Sequence, residues 1–117
     1  MNAMSFSDMG LAALKQRQYD AAINMLRQAL GEDMDNLDAR FGLARALHEK
    51  GSIIEAIGEY RTVLQSDGGH EDCLHHIARA LLENGDARSA LNHIDIVLRA
   101  KLTDPEMLTL RGQALIA

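Results

Sequence analysis

The sequence predicts an all-α fold, an α-solenoid of antiparallel helix pairs, and three observations predict it. Apolar residues return at a fixed offset of 34 along the chain. Apolar content is 47%, but with two Phe, two Tyr and no Trp the core has to be built from Leu, Ile, Val, Met and Ala, among which Ala and Leu are strong helix formers. A single proline leaves the pattern almost free of the commonest helix breaker.

The period is the primary signal, because missing a repeat misassigns the whole architecture. Tyr19, Ala22, Ile23, Leu26, Ala29 and Leu30 are followed 34 residues later by Ile53, Ala56, Ile57, Tyr60, Val63 and Leu64. The third set is Ala87, Ala90, Leu91, Ile94, Val97 and Leu98. Within each set the spacing is three and four, the stripe of one helical face. A second series precedes each of these: Ala12, Ala46, Ala80 and Ala114, with Leu47, Leu81 and Leu115 beside them. Gly10, Ala44, Ala78 and Gly112 add small residues that let a neighbouring helix approach closely. The unit is therefore two helices.

Taken in order, helices are expected near 5–17, 20–32, 37–50, 53–66, 71–84, 87–100 and 105–117. Gly51 and Gly85 stand where a left-handed C-cap closes the first helix of units two and three. Ser52 with Glu55 reads as a capping box, and Asp86 as an N-cap. Thr103-Asp104-Pro105-Glu106 supplies a cap, a first-turn proline and an acid beside the positive end of the helix dipole. The expected organisation is one domain over 1–117, with repeats near 3–36, 37–70 and 71–104 and the first helix of a fourth at 105–117. Asn2 and Ala3, ahead of Met4, fit a remnant before the natural start. The apolar end Ala114-Leu115-Ile116-Ala117 lacks a polar capping helix, so a longer natural protein is expected.

These residues resemble the tetratricopeptide repeat (TPR) family, whose units are helix-turn-helix pairs of this length. The resemblance rests on Gly10, Tyr19, Ala22 and Ala29 in the first unit and on Leu43, Ala44, Gly51, Ala56 and Tyr60 in the second. In the third it rests on Ile77, Ala78, Gly85 and Ala90. Departures are Met34, Gly68 and Leu102, where a closing proline is common, and Arg111 in a place usually held by a large aliphatic residue. The resemblance implies about three and a half units in a right-handed superhelix with a concave face lined by first helices. Peptides or partner helices are typically held there. Carried onto this sequence, that face takes Ser7, Leu11, Leu14, Phe41, Arg45, His48, Glu49, His75, Arg79, Leu82, Glu83, Thr109 and Gln113.

Arg45 and Arg79 repeat at the period, and guanidinium forks suit carboxylates. With Phe41 nearby, an acidic peptide carrying an apolar anchor is the expected ligand. Against this, Glu49 and Glu83 each follow an arginine by four residues, giving each an intrahelical partner worth tenths of a kcal/mol. The family's chaperone-tail binders clamp a terminal carboxylate with Lys, Asn and Arg from successive first helices. Ser7, Leu11, Gly42, Asp72 and His76 stand at the matching places, so that clamp is not expected.

Other classes are disfavoured. A net charge of -5 opposes the electrostatic footprint of a nucleic-acid binder. No apolar run is long enough to insert into a membrane, and the compartment stays open with the cytoplasm favoured. Cys73 alone excludes an internal disulfide framework and a cysteine-rich zinc site. The five histidines show no standard ligand spacing, so no metal and no cofactor is expected, although their titration near neutrality can tune an acidic ligand. No catalytic constellation or phosphate loop is present, and the chain is read as a non-enzyme. The leading expectation is an interaction scaffold. Alternatives are a non-catalytic domain of a larger enzyme or secretion assembly, or self-association through the apolar last helix.

Overall fold

The computed structural model describes residues 4–117. Asn2, and Ala3 where the first repeat was expected to begin, lie outside that range. The described residues form seven helices: α1 (Phe6–Lys15), α2 (Tyr19–Glu32), α3 (Leu37–Lys50), α4 (Ile53–Ser66), α5 (Glu71–Glu83), α6 (Ala87–Ala100) and α7 (Pro105–Ile116). The chain divides into two compact units, Met1–Val63 and Leu64–Ala117.

In the first unit α1 packs on α2, α2 on α3, and α1 also touches α3. The centre is Leu26 of α2, fully buried with Ala22, Ala39, Ala44, Ala46, Ala56, Tyr60 and Val63. Glycine makes the approach possible at two places. A Cβ on Gly10 would lie 2.5 Å from Leu26 Cγ, and one on Gly42 would lie 2.6 Å from Leu11 Cδ2 and 3.3 Å from Leu26 Cδ1. Leu26 thus fills space that two absent methyl groups leave open. In the second unit α5 packs on α6, α6 on α7, and α5 touches α7, over a core of Cys73, Ile77, Ala78, Leu81, Ala90, Ile94 and Met107. The small-residue series does its expected work at Gly10, Ala44 and Ala78, which are buried. Gly112 departs from it: nothing lies within 4 Å of where its Cβ would be, because no described helix covers that side of α7.

The helix ends follow local chemistry. Ser5, Asn36, Asp86 and Asp104 each accept a backbone N–H two or three residues into the helix they cap, and His70 Nδ1 does the same for α5. Asp104 with Pro105 is the start expected for α7. Gly51 and Gly85 adopt the left-handed conformation, at φ +98° and +81°. Glu55, expected to close a capping box with Ser52, has its carboxylate on α2, accepting from Arg27 Nη2 at 3.2 Å.

The turn that follows the first helix is built three times from the same hydrogen bonds. Arg17, Gly51 and Gly85 donate to Leu14, His48 and Leu82, and the next residues donate to Ala13, Leu47 and Leu81. This pairing of a 6→1 bond with a tighter one needs a left-handed residue at its corner. Two repeats use glycine there; the first uses Arg17, at φ 61°.

Candidate functional site

The residues that the family pattern places on a ligand face fall into two sets, one in each unit. In the first unit α3 carries Phe41, Arg45, His48 and Glu49. Helical spacing brings Phe41 and Arg45 together one turn apart, and the Arg45 guanidinium lies over the Phe41 ring, 5.9 Å from its centroid. That contact takes the place of the intrahelical partner expected from Glu49 and holds the cation by the face of the ring. Both Arg45 and Glu49 are exposed, and Phe41 is half-buried.

His48 is only 8% exposed. Its Nδ1 lies 3.1 Å from the Tyr60 hydroxyl, and the two rings meet edge to face at 6.0 Å. Tyr60, fully buried, brings a hydroxyl into a core where the other repeats have Leu26 and Ile94. A buried hydroxyl needs a partner, and His48 supplies it. The ring that the family resemblance set on the ligand face is thus buried, with one nitrogen on a core hydroxyl. Phe41 also packs on Tyr60, with ring centroids 6.1 Å apart.

In the second unit α5 carries His75, Arg79 and Leu82, and α7 carries Gln113. Gln113 is exposed and Leu82 partly so. Arg79 Nη2 donates to Glu106 Oε1 of α7 at 3.0 Å, a tertiary partner that the four-residue spacing to Glu83 did not foretell. Both side chains are more than a third exposed, so the pair is weak and a competing carboxylate can displace it.

His75 is held at both ring nitrogens. Nδ1 faces the Glu71 carbonyl oxygen at 2.8 Å, and Nε2 faces Asp104 Oδ2 at 2.9 Å. A carbonyl and a carboxylate only accept, so this geometry needs a hydrogen on each nitrogen, the imidazolium form. Burial opposes that charge. The Glu71 carbonyl, the Asp104 carboxylate and the charge of Glu106 outweigh it and hold the His75 pKa above 6.5. Asp104 answers in kind: the Met107 N–H above all, and His75 next in its favour, lower its pKa below 3.8 against the cost of burial. One carboxylate oxygen caps α7 while the other grips α5.

Glu71, His75 and Asp104 bring three possible metal-donor atoms within 4.8 Å of one another. All three are already engaged. Lys101 Nζ donates to Glu71 at 2.8 Å, the Met107 N–H occupies Asp104, and both His75 nitrogens donate. The set is a hydrogen-bonded clasp of α5 on α7, not a ligand set waiting for an ion. Cys73 is equally committed: burial, with Asp67 adding to it, pushes its thiol up to about 12, so no nucleophilic thiolate forms near neutrality.

The clasp predicts a pH dependence. A folded-state pKa raised above 6.5 means that His75 contributes stability fully below that value, and the contribution is lost as pH rises through the raised pKa. Asp104, lowered below 3.8, contributes above that value and fails only as pH falls through its depressed pKa. Urea midpoints of the wild type and His75→Gln, compared between about pH 5 and pH 9, are expected to differ most at the acidic end and to converge upward. A difference that stays constant across this range would show His75 to be neutral throughout.

With this geometry in view, comparison with known proteins decides the family. Two family models described as tetratricopeptide repeat match residues 7–71 and 47–114. The chain belongs to the tetratricopeptide repeat family. No curated relative matches it. Among solved structures, the chain is similar to the second TPR domain of human RPAP3 in complex with the HSP70 peptide SGPTIEEVD. That match has 19% identity and a TM-score of 0.85, covering 94% of this chain and 92% of that one. It is similar to YrrB, a TPR protein with an unusual peptide-binding site, at 20% identity and a TM-score of 0.83, covering 95% of this chain and 59% of that one. MamA from Desulfovibrio magneticus RS-1 matches at 18% identity and a TM-score of 0.87, covering 93% and 62% respectively. The chain thus spans about three-fifths of the YrrB and MamA chains. At these identities the likeness is one of fold: an all-α helical repeat, as the sequence pattern implied.

Gly42, one of the places matched to the chaperone-tail clamp, has no side chain, and a Cβ there would lie 2.6 Å from Leu11 Cδ2. Among the described residues no helix is long and apolar enough to cross a membrane.

Proposed function

We propose that this TPR chain is a non-catalytic interaction module that holds an acidic peptide or partner segment on the faces of its first helices. The observation that carries this reading is Arg45. It is exposed, it is seated on the Phe41 ring, and among the described residues no carboxylate pairs with it. A cation already oriented by an aromatic face needs little ordering to meet a carboxylate, and the half-buried ring beside it offers an apolar anchor point. The peptide binders among its structural neighbours, YrrB and the RPAP3 domain, support the general class.

Peptide-display selection against the wild type is expected to enrich acidic sequences. Arg45→Glu is expected to weaken the enriched peptides about tenfold or more, as one charge-assisted contact is replaced by a repulsion. Arg79→Glu is expected to weaken them less, because Arg79 has first to leave Glu106. Unchanged circular dichroism keeps the result a matter of binding. Equal enrichment on wild type and Arg45→Glu would overturn the acidic-ligand reading.

Self-association is the second reading, favoured by the exposure of Leu108, Leu115 and Ile116 on α7. Light scattering across a concentration series separates it from a monomeric binder.

A further inference from the structure

The first repeat keeps an arginine at a backbone position where the other two repeats use glycine. Arg17 sits at φ 61°, in the same hydrogen-bonded turn as Gly51 and Gly85. A side chain in the left-handed region is disfavoured, and a local rule broken at one repeat of three calls for a compensating gain. The turn opens onto a cleft of about 290 Å³ lined by Leu14, Lys15, Arg17, Tyr19, Arg45 and Glu49. All six belong to the first unit.

Three cations and one carboxylate share this cleft. Among the described residues, Lys15, Arg17 and Arg45 have no carboxylate within ion-pair distance, and the acid closest in sequence, Asp20, is paired with Lys50. The cleft is too small for a drug-sized molecule but suits a carboxylate side chain or a chain terminus. Arg17 of the turn and Arg45 of α3 line the cleft, and guanidinium groups present planar donor pairs to such a group.

From this we infer that the cleft between the α1–α2 turn and α3 is a carboxylate seat for an acidic peptide, with Arg17 the residue that gives it specificity. The inference rests on the acidic-peptide reading above and names the part of the surface that reads the acid. It assigns Arg17 a binding role at the expense of the turn, so one substitution moves two observables in opposite directions. Arg17→Gly restores the residue used by the other repeats and is expected to raise the urea midpoint. The same change is expected to weaken carboxylate binding about tenfold. Glu49→Gln, which removes the only negative charge in the cleft, is expected to tighten binding severalfold.

The test is a 15N-edited NMR titration of the 117-residue chain. The probes are hexaglutamate, the neutral control hexaglutamine, and citrate as a peptide-free carboxylate. Saturable shifts at Lys15, Arg17, Tyr19 and Arg45 with hexaglutamate and citrate, absent with hexaglutamine and weakened by Arg17→Gly, support the seat. Shifts spread over every basic residue without saturation overturn it. If hexaglutamate binds the wild type and Arg17→Gly equally, the seat is overturned while acidic-peptide binding stands. Citrate bound in the cleft without hexaglutamate binding overturns the peptide as occupant, and with it the acidic-peptide reading.

Discussion

Leu26→Ala is expected to cost about 2–5 kcal/mol, the range for removing a fully buried leucine whose surroundings collapse only in part. Leu26 has no exposed surface, and its side chain meets two helices where they come closest. The site cannot simply close. Two of the positions that face the lost atoms, Gly10 and Gly42, are glycines with no side chain of their own to move in. That makes a double-mutant cycle decisive. In the wild type, Gly10→Ala places a methyl 2.5 Å from Leu26 Cγ and is expected to destabilise, although alanine is the better helix former by about 1 kcal/mol. In the Leu26→Ala background that clash is gone and the methyl enters the cavity. Gly10→Ala is then expected to stabilise, giving a coupling within the roughly 0.5–3 kcal/mol seen for residues in contact. Urea denaturation of the four proteins reads the coupling. Additive effects would show that Leu26 does not fill the space over Gly10.

The cycle also marks how far the sequence could be read. The 34-residue stripe placed Leu26, Tyr60 and Ile94 at one register position, and all three are fully buried. The same arithmetic found the glycine corners at Gly51 and Gly85. The corner of the first repeat, Arg17, carried no such mark, because arginine is not a residue type that the left-handed conformation favours. His48 differs in another way. The family resemblance set it on the ligand face beside its register partner Leu14, and both positions are sheltered, at 8% and 7% exposed. The deciding fact was the Tyr60 hydroxyl in need of a partner, a demand that pattern reading registers only once two helices are placed together.

Pairings across helices were the least legible. Arg79 with Glu106, and His75 with Asp104, join residues 27 and 29 apart in sequence, and the helical rules for neighbours three and four apart say nothing about them. Asp104 was read correctly as a cap. A carboxylate has two oxygens, however, and the second, which clasps His75, was left unassigned. For the proposed ligand face this matters directly. Of the two arginines the period singled out, one is held by an acid of its own unit and the other by an aromatic ring, so only Arg45 can meet a carboxylate without first leaving another.

α4 allows the register to be tested with two substitutions of opposite sign, two residues apart. Ala56 is fully buried, one turn before Tyr60, whose ring meets Phe41 and His48 of α3. Ala56 therefore lies on the stripe that faces α3, where alanine sets the helix separation. Ala56→Leu adds three carbons at a position with no exposed surface and is expected to cost about 1–3 kcal/mol as the helices are forced apart or the leucine adopts a strained rotamer. Gly58 lies about 200° further round the helix, is exposed, and has nothing within 4 Å of where its Cβ would stand. Gly58→Ala is expected to stabilise by about 0.5–1 kcal/mol, from the backbone freedom that glycine has to surrender on folding. Thermal or urea unfolding of the two variants reads both signs. If Ala56→Leu matched the wild type, the α3–α4 contact would not pass through Ala56, and the assignment of the buried stripe from which every face in the repeat is numbered would be wrong. Destabilisation by Gly58→Ala would place an undescribed neighbour on the outer face of α4, the side that the repeat register leaves to solvent.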